Sequence, residues 1–112
     1  MLDRKDPDEI GLKEALELVN SGKSIFVWIG GWTTTPLADL LDIDPSKVVN
    51  ESPFKLLLDN KSYPEELKKF ERPIFVCEHG NSSLDLVKEL STMGIKGYSL
   101  AKGIEGIKQR FG

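Results

Sequence analysis

Helical and extended hydrophobic patterns alternate along this chain, and their order predicts its architecture. Leu12, Ala15, Leu16 and Val19 recur at helical spacing, and Gly22 stands where such a helix stops. Residues 24–29 then form a continuous apolar, β-branched and aromatic run, which suits a strand buried on both faces. Between residues 30 and 45, a Gly-Gly pair, three threonines and two prolines predict loop around a short leucine-rich helix. Residues 47–50 predict another short strand. Phe54, Leu57 and Leu58 suggest a helix, and residues 65–70 a further short one. Pro73 opens the clearest strand, Ile74-Phe75-Val76-Cys77, and the polar turn Glu78-His79-Gly80-Asn81 follows it. Leu84, Val87, Leu90 and Met93 then mark one face of a helix that Gly94 ends. Tyr98-Ser99-Leu100 predicts the last strand and residues 104–111 a closing helix. Strands alternating with helices imply a three-layer α/β fold, with a mainly parallel sheet and helices on both faces. At 112 residues, one domain spanning 1–112 is expected.

Composition narrows the function classes. Fifteen basic against eighteen acidic residues give a net charge of −3, and no basic stripe supplies the field that gathers nucleic acid, so no nucleic-acid partner is expected. No apolar run approaches the roughly 20 residues of a membrane span. The first six residues, Met1-Leu2-Asp3-Arg4-Lys5-Asp6, carry no apolar stretch behind their charges. The expectation is a cytoplasmic protein with no secretory signal and no membrane partner.

Cysteine usage bears most directly on chemistry. Cys77 is the only cysteine and His79 the only histidine, so no intramolecular disulfide and no cysteine-rich metal site is expected. No metal or cofactor is predicted. Any group that Cys77 receives must leave on another molecule. The pattern puts Cys77 at the carboxyl end of a strand, where open parallel sheets bind ligands. The segment 77–83 would connect that strand to the next helix. Curled around the sulfur, it could aim backbone N–H groups and a helix dipole inward, favouring the nucleophilic thiolate. Gly80 and Asn81 tolerate left-handed backbone, and Ser82 or Ser83 could cap the helix or donate to a sulfur anion. Glu78 would oppose a thiolate if close, and His79 would assist only when protonated. An inert buried thiol at a strand end and a solvent-exposed His79 fit the same pattern.

The stretch Pro73-Ile74-Phe75-Val76-Cys77-Glu78-His79-Gly80-Asn81-Ser82-Ser83 resembles the active-site segment of rhodanese-domain sulfurtransferases, closest to small single-domain thiosulfate sulfurtransferases. Residues 90–94, Tyr98-Ser99-Leu100 and Gly103-Ile104-Glu105-Gly106-Ile107 track that family's closing strand and helix, and residues 10–15 resemble its opening. The resemblance implies a rhodanese-like domain with a five-stranded sheet and a sulfurtransferase using Cys77 as nucleophile. Glu78, His79, Gly80, Asn81, Ser82 and Ser83 would bind the substrate, a small anionic sulfur donor such as thiosulfate. A Cys77 persulfide would then be discharged to a thiol or cyanide, with a sulfur-donor or sulfur-acceptor protein as a further partner.

The resemblance breaks in two places. Where the family carries Asp, one residue, then Arg at the end of its second strand, this chain has Trp28 and Gly30. Its paired glycine before the last helix becomes Lys102-Gly103, and Ile107 takes a tryptophan's place. Trp28 reads as core packing in place of the missing ion pairs. Trp32 is open between packing and a docking rim, and Lys102 between solvation and attraction of an anionic donor. The departures support a second reading, a catalytically weak sulfur carrier or protein-binding module. A cysteine phosphatase or arsenate reductase also places a thiolate before a helix. It needs an arginine at the loop's end, where Ser82 and Ser83 stand.

Overall fold

Strand alternation sorts the core into two layers. The computed structural model describes residues 7–29, 37–51, 56 and 65–111. They build β1 (Glu9–Ile10), α1 (Leu12–Asn20), β2 (Phe26–Trp28), α2 (Leu37–Leu41), a 3₁₀ turn (Pro45–Lys47), β3 (Val48–Asn50), α3 (Glu65–Lys68), β4 (Ile74–Val76), α4 (Asn81–Thr92), β5 (Tyr98–Leu100) and α5 (Gly103–Phe111). The strands form one sheet in the order β1-β5-β4-β2-β3, and every pairing is parallel. Phe26, Trp28, Ile74, Val76 and Leu100 point to one face, where Ala15 and Val19 of α1, Leu37 and Leu41 of α2, and Ile104 and Ile107 of α5 cover them. Val27, Phe75 and Cys77 point to the other, against Leu67 of α3 and Leu86, Val87 and Leu90 of α4. Helices on both faces explain why β2 and β4 are buried throughout and read as unbroken apolar runs.

Among the described residues, the expected elements are present with shifted ends. The run 24–29 forms its ladder only over Phe26–Trp28, and Lys47 belongs to the 3₁₀ turn that precedes β3. In α4 the buried stripe is Ser83, Leu86, Val87 and Leu90, whereas Leu84 is only partly covered. The helix rotates so that Ser83 meets the sheet. Strand β1 is not legible in the sequence; two residues between Asp8 and Gly11 carry too little pattern to read, and their pairing with Ser99 and Leu100 defines them. Gly22 and Gly94 end α1 and α4 with φ of 81° and 82°. At α4, Ile95 N–H reaches Leu90 O at 2.9 Å and Gly94 N–H reaches Ser91 O at 3.0 Å, a paired closure that needs left-handed backbone at the glycine. Trp28 is 5% exposed within the first core layer, the packing role anticipated for it. The helix expected around Phe54, Leu57 and Leu58, and the roles of Gly30, Trp32 and 33–35, lie outside the described residues.

At the amino end of the sheet, Arg72 fastens three strands. Its Nη2 donates to Gly97 O at 2.7 Å and to Asp8 Oδ1 at 3.1 Å, and its guanidinium lies 3.8 Å over the Tyr98 ring. The opposite, carboxyl end holds Cys77.

Candidate functional site

Cys77 follows β4 and turns its side chain toward the α4 face of the sheet, 4% exposed. The chain must reverse here to start α4, and Gly80 makes that reversal with φ 91° and ψ −9°. A β-carbon at Gly80 would lie 2.8 Å from the backbone nitrogen of Lys102, so a side chain is excluded by space as well as by φ. The turn brings the Gly80 N–H to 3.0 Å from Cys77 Sγ. Helix α4 then begins at Asn81, with Gly80 as its N-cap and no side chain there to accept the first free amides. The sulfur takes that place, because the Ser83 N–H points to Sγ at 3.3 Å. Sγ thus sits on the positive end of α4, as an anion-accepting group does at a helix N-terminus.

The geometry revises the expected cradle. The connection is residues 77–80 rather than 77–83, and the cap is Gly80 rather than Ser82 or Ser83. Asn81 is helical, so Gly80 alone supplies the left-handed residue in this turn. Cys77, Gly80 and Ser83 are brought together around the sulfur. Glu78, His79, Asn81 and Ser82 are exposed around the rim, and none of them makes a hydrogen bond to Sγ.

A second layer supports the loop from below. The first amides of α5 bond backwards to it: Ile104 N–H to Cys77 O and Glu105 N–H to Glu78 O, both at 2.9 Å. Gly103, with φ 55°, permits this approach, because a β-carbon there would overlap the Cys77 carbonyl oxygen. Lys102 itself adopts a positive φ of 65°. Its backbone adjoins Gly80, while its stem lies beside Gly106 of α5, where a β-carbon would meet Lys102 Cβ at 3.0 Å. Lys102 therefore stands at the same sheet end as the sulfur.

Two buried serines complete the surroundings. Ser83 Oγ lies 3.3 Å from Sγ, within reach of the thiol proton, and 2.6 Å from Ser99 Oγ. Both hydroxyls also reach Gly80 O, each at 3.3 Å. Both side chains are fully buried. Little in the sequence marks Ser99 as a neighbour of the sulfur. Its only sequence signal is a small polar residue between Tyr98 and Leu100 in an otherwise apolar strand, which tells nothing of its neighbour.

Among the described residues, no group of three or more His, Cys, Asp or Glu side chains could hold a metal, and no helix is long and apolar enough to cross a membrane. Arg72, at the far end of β4, is remote from the sulfur's end of the sheet, so it does not serve as the arginine that a phosphatase-type loop requires.

No protein-family model matches the chain, and no curated protein sequence does. Solved structures do match. A rhodanese-related protein from Thermoplasma volcanium superposes with a TM-score of 0.57 at 18% identity, covering 91% of each chain. The human single-domain sulfurtransferase TSTD1 superposes with a TM-score of 0.61 at 12% identity, covering 94% of this chain and 98% of that one. The likeness is one of fold, and the chain has the rhodanese-like α/β fold that the resemblance of residues 73–83 had suggested.

Proposed function

We propose that this chain is a sulfurtransferase that carries sulfane sulfur as a persulfide on Cys77. The observation that carries the reading is the Sγ atom at a strand's carboxyl end, accepting from the Gly80 and Ser83 amides at the N-terminus of α4. An amide cradle on a helix end stabilises negative charge without a metal or a neighbouring cation. The rhodanese-like fold, shared with a protein named as a sulfurtransferase, supports the same reading.

In this scheme the Cys77 thiolate attacks the outer sulfur of thiosulfate. An Sγ–S bond forms, and the bond to the sulfonate breaks with its electron pair leaving on sulfite. The persulfide keeps the negative charge beside the amides. A thiolate or cyanide then attacks the outer sulfur, takes it as a new persulfide or as thiocyanate, and returns the electron pair to Cys77. No net oxidation occurs, so no cofactor is required. The exposed rim of Glu78, His79, Asn81 and Ser82, with Lys102 at the same end, is the part an incoming donor or acceptor meets first. With no second cysteine in the chain, the exit of sulfur is intermolecular, to a small thiol or a protein thiol.

The test is direct. Wild type incubated with thiosulfate should gain the mass of one sulfur atom, release sulfite, and form thiocyanate when cyanide is added. Cys77→Ser should do none of these. Wild type that gains sulfur from neither thiosulfate nor a protein persulfide would sink the reading and leave a binding module.

A further inference from the structure

The Ser83–Ser99 pair has no place in the scheme above, yet it is costly to keep. The face of the sheet carrying Ser99 is otherwise lined by Val27, Phe75 and the apolar stripe of α4. A hydroxyl there loses its hydration and is tolerated only with partners. Its partners are Ser83 Oγ at 2.6 Å and Gly80 O at 3.3 Å, both in the segment that holds the sulfur. An alanine at 99 would avoid that cost altogether.

We propose that Ser99 is a positioning residue for Cys77, orienting the Ser83 hydroxyl so that it accepts from the thiol and donates to the thiolate. The proposal rests on the reading of Cys77 as the reactive group. Proton accounting carries it. An oxygen–oxygen distance of 2.6 Å needs one proton between the two serines. With the thiol, S–H donates to Ser83 Oγ, Ser83 donates to Ser99, and Ser99 donates to Gly80 O. With the thiolate, Ser83 turns and donates to Sγ, and Ser99 donates to Ser83. Gly80 O keeps the Leu84 N–H at 3.3 Å, so it is not orphaned. Each hydroxyl proton rotates about its own Cβ–Oγ bond; none is passed along the chain, and the thiol proton leaves to a solvent base. Both chains use the same heavy-atom positions. The thiolate chain ends on a charge, and that strengthens each bond behind it.

The measurement is the rate of Cys77 alkylation by iodoacetamide, followed by intact mass across neutral and alkaline pH. Among the described residues, Glu78 and His79 of the loop, Asp85 of α4, Lys102 just before α5 and Glu105 within α5 are charged or titratable groups on the elements around the sulfur, and all stay unchanged between variants. Ser99→Ala should react roughly 3-fold more slowly at neutral pH. Ser83→Ala should be slowed at least as much, and the double variant should match Ser83→Ala alone. Independent, multiplying losses would overturn the proposal, as would a wild-type rate in Ser99→Ala. Ser99→Thr and Ser99→Val, equal in size, repeat the comparison with and without the hydroxyl. Threonine reacting as slowly as valine would also overturn it. Thiosulfate uptake is measured on the same proteins. Its failure in wild type would defeat sulfur transfer while leaving the alkylation comparison intact.

Discussion

Replacing Gly103 by alanine tests whether the sulfur loop is held by the start of α5. The residue has φ 55°, and its missing β-carbon is the space that the Cys77 carbonyl oxygen occupies. Cys77 C and Glu78 C would each lie 2.9 Å from an added carbon, so the obstruction is backbone and cannot swing aside. Left-handed backbone costs an alanine about 1–2 kcal/mol. Separating the loop from α5 also threatens two hydrogen bonds, Ile104 N–H to Cys77 O and Glu105 N–H to Glu78 O, at about 1 kcal/mol each. The expected loss is therefore about 3–4 kcal/mol. Gly94→Ala is the control, because Gly94 has φ 82° but nothing within 4 Å of its missing β-carbon. It should lose only the backbone part, about 1–2 kcal/mol. In urea the two variants should unfold roughly 1 M apart in midpoint. Gly103→Ala should also lose sulfur uptake under conditions where it is still folded, and Gly94→Ala should keep it. Equal midpoints for the two variants would refute the interlock.

Lys102 holds a φ of 65° where the resembling family has glycine. Lys102→Gly should relieve that strain and raise stability by up to about 1 kcal/mol, less what the unfolded chain gains in freedom, as read by urea midpoint. Arg72→Ala removes the guanidinium that joins Gly97 O, Asp8 and the Tyr98 ring. It should cost about 1–3 kcal/mol, with thiosulfate uptake unaffected at temperatures where the variant is folded. Asp44 accepts the Ser46 N–H at 2.8 Å, and that bond, with a smaller contribution from Lys47, holds its carboxyl below the ordinary value of 3.8. A depressed carboxyl stabilises the fold above its unfolded pKa and ceases to do so as pH falls through the folded one. The melting-temperature difference between wild type and Asp44→Ala should therefore be full at neutral pH and narrow on acidification below pH 3.8. A difference that widens there would contradict the assignment.

Much of the fold was readable because its signals are local and repeated. The apolar runs of β2 and β4 and the stripes of α1 and α4 mark elements buried by neighbours on both sides. Gly22 and Gly94 stood at the helix ends because a left-handed closing residue is needed there whatever the fold. Strand β1 escaped, since two residues gain their identity only by pairing with β5, nearly the whole chain away.

The sulfur site divides along the same line. Cys77 at a strand end, Gly80 at the turn and the start of α4 lie within a few consecutive residues, so chain order alone places them together. Which atoms face the sulfur is another matter. It depends on the rotation of α4 against the sheet, which buries Ser83 and leaves Asn81 and Ser82 in solvent. Ser99 and Gly103 come from β5 and α5, and they reach the loop only through parallel pairing of β5 with β4. Sequence determines the cysteine and the helix that follows it because both are local. Tertiary packing decides what supports the sulfur's donors, because a hydrogen bond depends on distance in space and Ser99 lies sixteen residues beyond the Ser83 hydroxyl it meets.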